Sequence, residues 1–187
     1  MAELSQIELE IVTPEGIQLR ARAHDLTAPS VEGEFGVLPG HRPLLAALKT
    51  GIISYHDAAG ESHYVAVGPG FVEVSEDRAL VLTDRFVAKG DVDPVRVRLD
   101  LKEADDALDR FTGEPGSPEH GALILAETWA AAQLELYGDP PPPMVRTFSE
   151  FQLIPHEDYL VTDEAAPISE AYYEARDQKQ AAKHSEE

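Results

Sequence analysis

Apolar and polar residues alternate with a period of two near the start of the chain. Ile7, Leu9 and Ile11 fall on one side and Glu8 and Glu10 on the other, which predicts a half-buried strand over residues 6–12. Thr13-Pro14-Glu15-Gly16 is turn chemistry with glycine last. Ile17, Leu19, Ala21 and Ala23 then alternate with Gln18, Arg20, Arg22 and His24, so the first strand and the second form a β-hairpin. Further β-prone runs cover residues 52–56, 62–67, 71–74 and 79–82. Asp57-Ala58-Ala59-Gly60, Gly68-Pro69-Gly70 and Ser75-Glu76-Asp77 separate them. Short strands at intervals of about ten residues, with turns between, predict an antiparallel sandwich or flattened barrel. Residues 1–88 are therefore read as an all-β domain.

The period changes after Gly90. Asp91 or Asp93 suits a helix N-cap and Pro94 the first turn. Leu101, Ala104, Leu108 and Phe111 form one helical stripe, with acidic residues opposite. Residues 112–118 are a glycine- and proline-rich loop. A second helix is expected over residues 122–137, with Leu125, Trp129, Ala132 and Leu136 on one face. Residues 89–137 thus read as an α-helical hairpin. Gly138-Asp139 and the proline run 140–143 end it. Residues 138–187 are expected to be an appended extension, its scattered aromatics favouring docking and residues 168–183 forming a short polar helix.

Between the first hairpin and the later strands lies the run Val31-Glu32-Gly33-Glu34-Phe35-Gly36-Val37-Leu38-Pro39-Gly40-His41-Arg42-Pro43-Leu44. Gly33 and Gly36 admit positive φ, and Pro39-Gly40 is a strong turn signal. The expected form is a kinked strand or bulge, a tight turn, then a buried segment over residues 44–48. Glu32 and Glu34 raise the idea of a carboxylate pair for glycoside hydrolysis, but no aromatic platform supports a sugar site. His41 has no nucleophile or orienting carboxylate at recognisable spacing. The seven histidines show no zinc-ligand spacing. The glycines match neither the phosphate-binding loop nor the dinucleotide fingerprint. They serve backbone geometry.

Composition narrows the function classes. With no cysteine among 187 residues, neither a disulfide framework nor a thiolate metal site is possible. A net charge of −20 argues against nucleic acid and anionic lipid as partners. No apolar run approaches the ~20 residues that cross a bilayer, so membrane association is expected through a partner and not by direct insertion.

Three motifs in order, Thr13-Pro14-Glu15-Gly16, the run from Glu32 to Leu44 and Gly68-Pro69-Gly70-Phe71-Val72-Glu73-Val74, resemble the epsilon subunit of the bacterial F-type ATP synthase (the mitochondrial delta subunit). The resemblance covers about residues 4–137. It implies a non-catalytic central-stalk subunit that joins gamma to the c ring and transmits rotation for ATP synthesis. Its place would be peripheral, on the cytoplasmic face of the bacterial plasma membrane. Glu34, Gly40, His41 and Arg42 would meet gamma and the c ring. Some relatives bind ATP as a regulator through (Ile/Leu)-Asp-x-x-Arg-Ala and arginines on the second helix. Asp93 and Arg96 match that motif, whereas Val92 and Val97 depart from it, and residues 122–137 hold no arginine or lysine. No cofactor is therefore expected. In relatives the same basic residues bring the raised helices to the catalytic alpha and beta subunits and block hydrolysis. Here the helix carries Glu127 and Glu135 as its only charges, which disfavours that contact and leaves regulation to the extension. The rival reading is a free-standing sandwich that binds a small ligand or peptide.

Overall fold

The structure, a computed structural model, describes residues 6–141. Nine strands precede two helices among these residues. They are β1 (Ile7–Thr13), β2 (Gly16–Ser30), β3 (Gly33–Val37), β4 (Leu44–Leu48), β5 (Gly51–Asp57), β6 (Ser62–Val67), β7 (Gly70–Ser75), β8 (Arg78–Thr83) and β9 (Phe86–Ala88). A 3-10 turn (Lys89–Asp91) leads to α1 (Pro94–Asp109) and α2 (Pro118–Tyr137).

The 15-residue β2 organises the sandwich because it serves both layers. Its first half pairs with β1, and its second half lies between β3 and β5. The register slips between Ala23 and Asp25, where the strand passes from one layer to the other. The first layer runs β2–β1–β8–β7–β4 and the second β3–β2–β5–β6–β9. β1 and β8 pair in parallel; the other pairings are antiparallel. Alternate residues from both layers point inward and make the core. Ile7, Leu9, Ile11, Leu26, Ile53, Val67, Val72 and Val81 are fully buried there.

The sequence pattern leaves residues 24–30 without an element, yet they complete β2. Pro29 is the reason: it cannot donate to a ladder. It sits opposite Glu34, and its carbonyl accepts from Lys49 N–H at 3.2 Å. Of the glycines in the central run, Gly33 takes positive φ (122°), closing the β2–β3 turn, while Gly36 is extended and faces Thr27. Residues 44–48 form a strand, but Leu45 faces out, so this segment is not buried throughout. Gly70 is needed for a different reason. A Cβ there would penetrate the Leu82 carbonyl on β8, so β7 and β8 approach closely only because position 70 has no side chain.

Asp93 caps α1, its Oδ1 accepting from the N–H groups of Val95 (3.0 Å) and Arg96 (3.2 Å), with Pro94 following. Ser117 caps α2 through His120 N–H. Gly138, in the left-handed conformation, ends it, with both Gly138 and Asp139 donating to Leu134 O. Ala130, Ala132, Leu134 and Leu136 of α2 are buried together with Val92, Val97 and Ala66, against Ile52 and Val87 of the second layer. Of the expected α2 stripe, Ala132 and Leu136 are buried and Trp129 packs beside them, whereas Leu125 is exposed and Ala130 and Leu134 join the buried set. The C-terminal half of α2 meets both α1 and strands β5 and β6, so it buries more than one stripe. Phe111 follows α1 and stacks on His120 across the helical loop. The extension expected over residues 138–187 lies outside the described residues beyond position 141.

Candidate functional site

Each layer of the sandwich has an outer face, and cross-strand register arranges its side chains in rows. On the second layer, Ile52, Ala66 and Val87 form an apolar row across β5, β6 and β9. The helical hairpin lies on that row. Arg85, in the β8–β9 turn, adds a cation–π contact with its guanidinium 5.9 Å from the Trp129 ring. The next row toward the other end of the strands, Thr27, Ser54 and Tyr64, is polar.

The first layer repeats this pattern, and no described residue covers it. Ala47, Phe71, Leu82, Val12 and Ile17 form one continuous apolar row across β4, β7, β8, β1 and β2. The next row is Leu45, Glu73, Leu80, Glu10 and Arg20, and the one after it, Ser75, Arg78, Glu8 and Arg22, is wholly polar. Leu45, Phe71, Ile17 and Leu82 are 70%, 55%, 49% and 47% exposed. Glu10 is buried under two guanidiniums, Arg20 and Arg78, each 3.3 Å from one of its oxygens. A groove of 410 Å³ between the β1–β2 and β6–β7 turns, lined by Val12, Pro14, Pro69 and Leu82, extends the apolar row. Exposed apolar surface of this continuity marks a docking surface. An apolar centre with a charged margin is the anatomy of a protein interface.

The sequence reading does not gather these residues into one face, and it places Ile17 on the face of Leu19. A bulge between Ile11 and Val12 turns Ile17 outward instead. The signal was present in the unbroken apolar runs Ala79-Leu80-Val81-Leu82 and Leu44-Leu45-Ala46-Ala47-Leu48. A strand without alternation offers apolar side chains to both of its faces.

The four residues singled out for partner contact lie along β3 and the loop after it. Among the described residues β3 pairs only with β2, so its other edge is open there. Glu34 is exposed near the start of β3 and borders a 370 Å³ cleft with Tyr64, Lys89 and Glu135, beside the C-terminal end of α2. Gly40, His41 and Arg42 lie past the other end of the strand. Gly40 has φ 75° and donates its N–H to Asp77 Oδ1 at 3.2 Å. His41 Nδ1–H donates to Arg42 O at 2.8 Å, and Arg42 is exposed. The structure thus spreads these side chains along one rim and does not gather them at a point. Glu32 occupies the β2–β3 turn and its N–H donates to Ser30 Oγ, so it shares no strand face with Glu34.

Asp93 and Arg96 have local partners. Asp93 is the α1 cap, and Arg96 Nε contacts Asp100 Oδ1 at 2.9 Å, one helical turn on. Arg98 holds Asp139 at 2.6 Å, tying α1 to the residue just past α2.

A sandwich with a helical hairpin on one face and an apolar row open on the other defines a subunit of a larger assembly. Known proteins agree. Residues 6–89 match the family of the β-sandwich domain of the ATP synthase delta/epsilon chain. An ATP synthase epsilon chain of Anaeromyxobacter dehalogenans is 37% identical over 132 residues, which is 71% of this chain and 98% of that relative. One from Desulfatibacillum aliphaticivorans is 41% identical over 103 residues, covering 55% of this chain and 73% of the relative. The fold resembles a chain in a Euglena gracilis mitochondrial ATP synthase assembly containing OSCP, F1 and the c-ring, with a TM-score of 0.60 and 22% identity over 70% of this chain and 80% of that one. The chain belongs to the ATP synthase epsilon chain family. It is accordingly a non-catalytic, central-stalk subunit of that membrane-associated complex. No described helix is long and apolar enough to cross a membrane.

Proposed function

We propose that this chain joins the gamma subunit to the c ring on the cytoplasmic face of a bacterial plasma membrane, and that gamma covers the open face of its first layer. The carrying observation is the apolar row Ala47–Phe71–Leu82–Val12–Ile17, which no described part of the chain covers. A rigid sandwich suits a joint that must resist shear, because both of its layers are cross-linked through β2. The c ring then meets the open edge of β3 and the following loop, with Glu34, Gly40, His41 and Arg42 as contacts. This rim supplies exposed side chains and unpaired backbone groups rather than an apolar face, which suits recognition of polar loops.

The subunit takes no regulatory ATP in this reading. Asp93 is committed to capping α1, and Arg96 to Asp100. Within α2 there is no lysine or arginine to hold a phosphate. Control of hydrolysis through basic contacts of α2 with alpha and beta is disfavoured for the same reason.

The test is to place Phe71→Glu and Leu82→Glu together in the full chain and isolate the complex from detergent-solubilised membranes. The variant is expected to keep its circular dichroism spectrum, because both side chains are already outside. It should co-purify with gamma several-fold less than the parent chain. Undiminished co-purification would remove the first layer from the gamma contact.

A further inference from the structure

The β5–β6 hairpin carries a cluster that the assembly role does not use. Asp57 ends β5, Glu61 lies in the loop, and His63 is the second residue of β6. One donor atom from each lies within 4.8 Å of the other two. We propose that Asp57, Glu61 and His63 form a binding site for a divalent first-row transition ion of the zinc type.

Two of the three donors are already positioned. Asp57 Oδ1 accepts from the N–H groups of Ala59 (2.8 Å) and Glu61 (3.0 Å), which fixes the carboxylate and turns Oδ2 toward His63. His63 Nε2 stands 2.8 Å from that oxygen. Its ring stacks on Tyr55, with centroids 5.0 Å apart and planes at 17°, so the imidazole plane is held from the side. Glu61 is exposed and free to swing.

The spacing fits the ion. Zinc lies ~2.0–2.2 Å from nitrogen and oxygen ligands, so tetrahedral donors stand roughly 3.4 Å apart. To take the ion, the Asp57–His63 pair opens from 2.8 Å by about half an ångström, and Glu61 closes from at most 4.8 Å by a rotamer change. Two carboxylates neutralise the dication, and the imidazole favours zinc or its neighbours over magnesium and calcium. Three protein ligands leave the fourth position to water or to a side chain from a partner. His24 of β2, whose Nε2 meets Ala58 O at 3.4 Å, is a polar neighbour of the hairpin loop. The separate His56–Asp25 pair, 2.7 Å apart, is an internal control, because it offers an imidazole and a single carboxylate without a third donor in this cluster.

The experiment is a zinc titration of the full chain, followed by calorimetry and by the ring nitrogen resonances of the histidines. The expected result is one site whose binding shifts His63 and is weakened by at least about tenfold in His63→Gln and in Asp57→Asn. His56→Gln should leave it unchanged, and magnesium at equal concentration should not compete. Glu61→Ala keeps the Asp57–His63 pair and the fold, so its weaker binding separates ligation from hairpin damage. Zinc binding that survives His63→Gln unchanged, or no heat and no His63 shift at millimolar zinc, overturns the site.

Discussion

The two outer faces of the sandwich are built alike and finished differently. On each, an apolar row crosses the strands toward one end and polar residues increase toward the other. On the second layer Ile52, Ala66 and Val87 carry the helical hairpin. On the first, the longer row from Ala47 to Ile17 stays open to solvent. The difference teaches that an apolar row on a sheet states only that something will cover it. On one side the chain supplies the cover itself, with the second half of α2. On the other, no described residue supplies one.

The largest effect that tests this contrast lies under the helix. Leu134 is buried at the junction of α2, α1 and the second layer. Leu134→Ala is expected to cost about 2–5 kcal/mol, through lost burial and a residual cavity. Thermal or denaturant unfolding of the isolated chain would measure it. A loss below about 0.5 kcal/mol would mean that the hairpin rests on the sheet without close packing, and the two faces would differ less than the structure indicates.

The sequence reading reached most of the fold and little of the surface. Period-two alternation located β1 and the first half of β2, and β-prone runs between turn residues located β5, β6, β7 and β8. It missed the second half of β2, since Pro29 reads as a break, and β9, which is only three residues long. Asp93-Pro94 and Gly138 gave the limits of the hairpin because caps are local chemistry, settled by neighbours in the chain. The bare row was legible only as unbroken apolar runs in β4 and β8, for the opposite reason. It assembles one residue from each of five strands, and a bulge at Ile11–Val12 decides where Ile17 points. The conspicuous run from Glu32 to Leu44 drew attention to itself, and it does form an open rim. Yet Gly33 and Gly40 serve turns, Gly36 is a plain strand position, and the apolar face beside the run comes from residues of ordinary appearance.

A smaller effect tests how firmly the hairpin is closed on its own side. Asp93→Ala removes the oxygen that accepts from Val95 and Arg96, and about 1 kcal/mol of stability should go with it. Asp93→Asn keeps an acceptor and should recover most of that loss. If both variants were neutral in unfolding but altered binding of added ATP, Asp93 would be a ligand and not a cap.

The smallest effect on the isolated chain should come from the open face, and it sharpens the comparison most. Phe71 is a large aromatic residue in the middle of the bare row, and more than half of it is in water. Truncation to alanine removes surface that is already solvated, so Phe71→Ala should change the unfolding free energy by less than about 0.5 kcal/mol. The same substitution should weaken association with gamma by about 2 kcal/mol or more, as central aromatic residues of interfaces do. Leu134→Ala should show the reverse order, a large loss in the isolated chain and a smaller one in association. Measuring both variants by both methods therefore separates a face covered from within from a face covered from outside. If Phe71→Ala cost as much stability as Leu134→Ala, the first layer would already be covered within the chain, and a segment beyond residue 141 would be the cover to seek.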